Sequence, residues 1–121
     1  MSMKKTGRAF IKHDGKLLPS RDGAVLKFGS LSRKPVVGAD SVHGFVEKVQ
    51  APSVECTLTH GDDLSLQELH DIVDATITFE CDSGPVYVLR NAWIDPEGLD
   101  LTVGEAEAKC VFHAKTAEEL A

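Results

Sequence analysis

The sequence predicts a mainly β protein, an antiparallel β-sandwich or partly closed barrel with one short α-helix packed on its side. Three observations carry this. Short stretches of period-two alternation recur along the chain, Gly/Asp turn signals separate them at regular spacing, and only one segment carries apolar residues at helical spacing. The 121 residues suit a single domain over 1–121, and 42% hydrophobic with 26% charged residues is ordinary for a globular chain with its own core.

The elements follow in order. Arg8-Ala9-Phe10-Ile11-Lys12 reads as a strand, and Asp14-Gly15 is a hairpin turn because glycine tolerates positive φ. A second turn at Asp22-Gly23 precedes the strand Ala24 to Phe28. From Gly29 to Gly44 the alternation lapses, with three Gly and one Pro, so this stretch reads as a long loop or an extended hairpin. Phe45 to Gln50 alternates, Pro52 interrupts, and Val54, Cys56 and Leu58 then face inward.

Ser65-Leu66-Gln67-Glu68 is a capping box, with Leu64 and Leu69 placed as a hydrophobic staple. Leu66, Leu69, Ile72 and Val73 form one apolar face of a helix expected to end near Asp74. Ala75, Ile77, Phe79 and Cys81 point inward from the clearest strand. Asp82-Ser83-Gly84 turns the chain, and Val86 to Leu89 returns, running on or kinking through Asn91 to Ile94. After a turn at Asp95 to Gly98, Leu99, Leu101 and Val103 alternate. Ala106, Ala108, Cys110 and Phe112 make the inner face of a last strand, and 115–121 reads as a polar tail with helical propensity.

The net charge of −6 is unevenly spread. Residues 1–34 carry nine Lys/Arg against two Asp/Glu, and residues 35–121 carry four against seventeen. A basic segment on an acidic body is either a nucleic-acid arm or one half of a head-to-tail contact between identical subunits. The acidity of the body and the single Trp and Tyr favour the second.

No constellation for catalysis stands out. The three cysteines are widely spaced without a Cys-x-x-Cys pair, and the five histidines lack metal-ligand spacing. His60 and His70 flank Asp62-Asp63, which a turn and a helix dipole explain better than a metal. Cys81 sits on an apolar strand face, where a thiol packs as a small hydrophobe. The expectation is no enzyme, no cofactor and no metal. No apolar run approaches the roughly 20 residues of a membrane span, and no signal peptide is evident, so the chain is expected to stay in the cytoplasm where it is made.

Three ordered stretches resemble one family. Val37-Gly38-Ala39-Asp40-Ser41-Val42-His43-Gly44-Phe45 resembles the loop motif of tail tube proteins from Mu-like contractile-tailed phages. Leu58 to Leu66 resembles their strand-to-helix passage, and Asp74 to Glu80 with Val88 to Trp93 resembles their central hairpin. This chain departs from the family in carrying Ser41 where a Gly is usual, in Leu17 to Ser32, and at His113-Ala114.

The resemblance implies a structural virion protein of the inner tail tube. Hexameric rings, joined edge to edge by their sheets, stack into a conduit for DNA ejection. The implied partners are the protein itself, the tail sheath protein, the tape-measure protein, the tail terminator and the baseplate, with DNA passing through without specific binding and no membrane involved. The implied location is the virion tail, assembled in the bacterial host cytoplasm. The tube of a phage-derived injection machine (a tailocin or a type VI secretion system) is the alternative within this class, and a β-barrel nucleic-acid-binding module the alternative outside it. Inter-subunit contact is expected at Arg33, Lys34, Pro35, Val36, Val37, Asp40, Val42 and His43, an apolar stretch where basic third meets acidic body. An acidic lumen is expected, with Glu47, Glu55 and Glu80 as the wall residues.

Overall fold

The computed structural model describes residues 3–120. Its strands are β1 (Ala9–His13), β2 (Lys16–Leu17), β3 (Val25–Lys27), β4 (Ser30–Val37), β5 (Val42–Gln50), β6 (Ser53–Thr59), β7 (Ala75–Cys81), β8 (Val86–Ile94), β9 (Asp100–Thr102) and β10 (Glu107–Leu120), with one helix, α1 (Leu66–His70), between β6 and β7. The first eight-stranded sheet runs β2-β1-β7-β8-β10-β6-β3 with β9 added on β10, every pair antiparallel.

That sheet closes on itself through residues 18–21. The Leu18 amide donates to the Ile11 carbonyl on β1 (2.9 Å), and on the far side the Thr59 amide of β6 donates to the Pro19 carbonyl (2.8 Å) and the Arg21 amide to the Thr57 carbonyl (2.8 Å). The result is a barrel closed at one end. Its interior is filled by Ile11, Val54, Leu58, Ile77, Leu89 and Phe112, all fully buried, and α1 lays Leu69 against the same cluster.

The turns form where the sequence places them. Asp14 and Gly15 both take positive φ between β1 and β2, and the Asp14 carboxylate accepts from the Thr76 amide at 2.9 Å. Ser65 caps α1, its hydroxyl accepting from the Glu68 amide. Asn91, at φ 53, kinks β8 where the register with β7 shifts.

Four expectations change. The stretch 29–44 is not a loop: its backbone groups pair as β4 with β5, so it takes the extended-hairpin form. The polar 115–121 tail is strand through Leu120, because the open side of β8 offers Val86 to Arg90 as partners and tertiary pairing overrides helical propensity. Helix α1 is five residues long and ends at His70, so helical spacing no longer governs Val73, which is 77% exposed. Leu101, on an edge strand only three residues long, and Val103, in the turn after it, also face out, and Ala106 lies exposed at positive φ in that same turn instead of on the inner face of β10.

One register relation organises the rest. Val25 pairs with Glu55 and Lys27 with Ser53, and the same pairing frame resumes with Ser30 opposite Gln50. β3–β6 and β4–β5 are therefore one ribbon with a break at residues 28–29 and 51–52. Gly29 sits at the break with φ 71, where a Cβ would lie 2.5 Å from the Pro52 nitrogen. Beyond it the ribbon forms its own two-stranded sheet, an arm that leaves the barrel.

Candidate assembly interface

The arm has no second layer: all of Val42–Gln50 is exposed. An isolated two-stranded hairpin is marginal in water, so such an arm needs a covering surface. Strand alternation puts Leu31, Arg33, Pro35, Phe45, Glu47 and Val49 on one face, an apolar strip crossed by a single ion pair. Arg33 lies 3.9 Å from Glu47 and 5.8 Å over the Phe45 ring. At the tip the Gly38 amide donates to the Ser41 carbonyl at 2.8 Å, closing the turn with Ser41 in place. The His43 ring packs over Gly38, where any Cβ would collide with it.

All eight residues expected at the inter-subunit contact lie on this arm. Arg33, Lys34, Pro35, Val36 and Val37 are on β4, Asp40 in the tip turn, and Val42 and His43 open β5. Val37 and Val42 are 64% and 68% exposed. Sequence reasoning missed Leu31, Phe45 and Val49 nearer the base of the arm: Leu31 lies where the alternation lapses, and the alternation of Phe45 to Gln50 marks a strand without showing that neither of its faces is covered.

Where the arm peels away it uncovers an edge. β6 pairs with Glu107 to His113 of β10, and the Ala114 amide still reaches the Pro52 carbonyl at 3.0 Å. From Lys115 to Leu120, β10 is paired on the β8 side alone among the described residues. A groove lined by Leu31, Val49, Pro52, Trp93 and Ala117 runs between this edge and the arm's base. The opposite margin is also open: β2 covers only Lys12 and His13 of β1, leaving Ala9 and Phe10 without a strand outside them among the described residues.

These two open edges lie at the same end. Phe10 is opposite Glu80, Glu80 opposite Val86, and Val86 opposite Leu120, so one row crosses β1, β7, β8 and β10. Three antiparallel steps make β1 and β10 run in opposite senses.

The charge asymmetry is largely resolved inside the chain. Lys4 and Arg8 reach Asp82, Lys12 reaches Glu80, Arg21 reaches Glu107, Lys27 reaches Glu55 and Arg33 reaches Glu47. Arg21 also donates to the Glu105 and Ala106 carbonyls, tying 18–21 to the β9–β10 turn. The basic third thus clasps the acidic body rather than forming a bare cationic stripe. Exposed pairs of this kind contribute little each. Asp82 is the best supported: amide donors from Gly7 and Arg8, then a hydrogen bond from the Arg8 side chain and the Lys4 charge, hold its carboxyl below the usual carboxylate range.

The expected wall acids are scattered. Glu80 lies on β7, Glu55 on β6 two strands beyond β8, and Glu47 on the arm, each with its own base. Cys56 and Cys110 face each other across β6 and β10 in the core. The hydrogen bond between them and burial push the Cys56 thiol above its ordinary range. Among the described residues, no group of three or more His, Cys, Asp or Glu could hold a metal, and no helix is long and apolar enough to cross a membrane.

Open strand edges, an uncovered apolar arm and a closed apolar core define a structural β protein built for contact with other protein surfaces. Its relatives agree. A family model for phage tail tube proteins matches residues 2–119. The chain is 36% identical over 109 residues to the Mu-like prophage FluMu tail tube protein of Haemophilus influenzae, covering 90% of this chain and 92% of that protein. It is 35% identical over 89 residues to the tail tube protein of Escherichia phage Mu, covering 74% and 75%. The fold matches a solved cryo-EM structure of the anti-feeding prophage cap, the AFP tube terminating cap, with TM-score 0.66, 10% identity, and coverage of 100% of this chain and 93% of that one. The chain belongs to the phage tail tube protein family, a component of the viral tail with a structural role.

Proposed function

We propose that the chain forms closed hexameric rings in which the β1 edge of one copy pairs with the β10 edge of the next, and that the rings stack into the inner tail tube through which DNA is ejected. The observation that carries this is the pair of open edges at one end of the sheet, opposite in sense. Rotation about an axis along the strands keeps their sense. A neighbour's β1 therefore meets this β10 antiparallel, a heterologous contact that closes when the rotation allows. A two-fold pairing of β10 with β10 would bring Glu118 and Glu119 of both copies together, which like-charge repulsion disfavours. The arm, with Arg33 to His43 at its far end, supplies the contact between rings or neighbouring subunits. The sheath, tape-measure, terminator and baseplate proteins are the partners of such a tube, assembled in the host cytoplasm.

Thr116→Pro tests the edge. Proline is tolerated on an edge strand whose amide faces solvent but blocks a further strand. By period two from Ala114, the Thr116 amide faces the open side. Under the electron microscope the unmodified chain should form rings or tubes. The variant should stay a cooperatively melting monomer by sedimentation. Normal tubes from Thr116→Pro would overturn the edge pairing.

A further inference from the structure

The arm tip and α1 lie at opposite ends of the subunit. β5 and β6 belong to one ribbon, with the tip turn before Val42 and α1 after Thr59. At its base the arm keeps beside the end of β10, where Leu31 and Val49 share a groove with Lys115 to Ala117. The nine residues of β5 span about 30 Å, against about 20 Å for Lys115 to Leu120, so the tip overhangs that end of the sheet. At the other end, β1 runs from the Phe10–Leu120 row up to His13, and the β1–β2 hairpin faces α1 across a second groove.

That groove holds about 520 Å³. Leu18, Leu64, Leu69 and Ile72 give it an apolar lining, and Leu17 beside them is 56% exposed. Its rim is charged, with Lys16 on the hairpin side and Asp63 and Glu68 on the α1 side, all exposed. None of these three has an ion-pair partner among the described residues. From His60 to Asp74 the chain carries five Asp/Glu and no Lys or Arg. The arm tip carries the matching set. Val37 and Val42 pair across its ladder, 64% and 68% exposed. Lys34, three residues behind Val37, is exposed and also lacks an ion-pair partner among the described residues. Asp40 stands in the turn with its side chain 90% exposed and His43 at 4.0 Å.

We propose that the groove between α1 and the β1–β2 hairpin receives the arm tip of a second copy, one in the ring stacked against this one. Val37 and Val42 enter the apolar lining, Lys34 meets Asp63 and Glu68, and Asp40 meets Lys16. The assignment rests on the ring reading and selects the contact between rings over one within a ring. Rotation about an axis along the strands points every arm of a ring one way and opens every groove the other way. The arm end of one copy therefore meets the groove end of another by stacking. Such a heterologous contact does not close on itself, so it repeats into an open stack. It also gives all rings one polarity, because an inverted ring would set one acidic α1 rim against another.

Asp40→Cys with Lys16→Cys, in a Cys81→Ser background, tests the site in assembled tubes, the remaining Cys56 and Cys110 being buried. A short bismaleimide should join chains into a ladder running well beyond the hexamer on a denaturing gel, because each copy is linked to one above and one below. Either cysteine of the pair alone should give monomers. A ladder that stops at the hexamer would put the tip on a ring neighbour and overturn the proposal, as would no cross-linking in well-formed tubes. Lys34→Glu gives a second readout, independent of the cysteines. It should leave melting unchanged and weaken stacking about fiftyfold, since an exposed ion pair gives about a twofold gain alone and about six act together between two rings. Single rings should then dominate under the electron microscope, and adding Glu68→Lys should restore tubes. Normal stacking by Lys34→Glu, or no rescue by a stably folded double variant, would overturn the groove assignment with the ring intact. Failure of the unmodified chain to form rings would overturn the ring reading and this proposal with it.

Discussion

Phe45→Ser separates what the arm does for the folded chain from what it does for the assembly. Phe45 is 59% exposed, so about two-fifths of the ring is already covered, by Pro35 opposite and Arg33 above. Burying a whole Phe side chain stabilises by about 1.5–3 kcal/mol. The covered part thus contributes about 1 kcal/mol to the free chain, and the uncovered part would contribute about 1–2 kcal/mol when a neighbour closes over it. A loss of about 1 kcal/mol lowers the melting temperature of a chain this size by about 4 °C. At the interface, about 1.4 kcal/mol is a factor of ten in association for every subunit added. The expected outcome is a small fall in melting temperature with a rise of about tenfold in the concentration at which tubes pellet in a dilution series. Val49→Ser, at a residue 88% exposed on the same face, should leave melting unchanged and still raise that concentration. The reasoning fails if Phe45→Ser melts more than about 10 °C lower, which would place the ring in the chain's own core. It fails equally if the tube-forming concentration moves by less than about twofold.

The thiols and the N-terminal clasp give further tests. His60–Ala106 and Pro52–Ala114 are hydrogen-bonded pairs of the β6–β10 ladder, so stepping by two makes Cys56–Cys110 one as well. Such pairs hold their Cβ atoms about 5.5 Å apart, beyond the 3.5–4.5 Å of a disulfide. Oxidised glutathione should therefore leave these two free, and thiol titration in denaturant without reductant should find three groups; a loss of two would refute the register argument. Asp82 has its carboxyl depressed in the folded chain, so the stability it lends is present above about pH 3.9 and is lost as pH falls through the lower folded value. Protection of the Gly7 and Arg8 amides, measured relative to their intrinsic exchange at each pH, should fall in that acid window. Asp82→Asn should show the lower protection already at neutral pH, and unchanged protection across the window would refute the clasp.

Much of the barrel was legible because its signals are local. Asp14-Gly15 and Asp82-Ser83-Gly84 declare their turns by residue type, Ser65 declares its cap, and the alternations 54/56/58 and 75/77/79 mark inward faces whatever lies opposite. The second half of β10 was not legible for the opposite reason. Lys115 to Glu119 favours helix by intrinsic preference, and only Val86 to Arg90, some 30 residues earlier, makes it a strand. The arm's expected contact residues were found from composition, as apolar side chains among Gly and Pro, but its strand character lay in a pairing frame shared with β3 and β6. No window within β4 shows that frame.

That shared frame also explains why the interface has several parts but one origin. Had the ribbon of β3–β6 continued straight, β5 would have lain along Lys115 to Leu120 and covered the β10 edge, and its apolar face would have had a partner. The break at Gly29 and Pro52 lifts it off. Pro52 cannot donate an amide to continue the ladder, and Gly29 takes a positive φ in a space that a Cβ would fill. One bend thus frees the edge and exposes the arm together. An unpaired strand edge is a liability in a chain that remains alone, normally blunted by covering or by bulges. Here the covering ribbon is present in the sequence, in register, and turned aside. A chain that carries its own edge cover and does not use it leaves that edge open to another strand, the neighbouring subunit's β1 in the proposed ring, and sends the cover out as the arm.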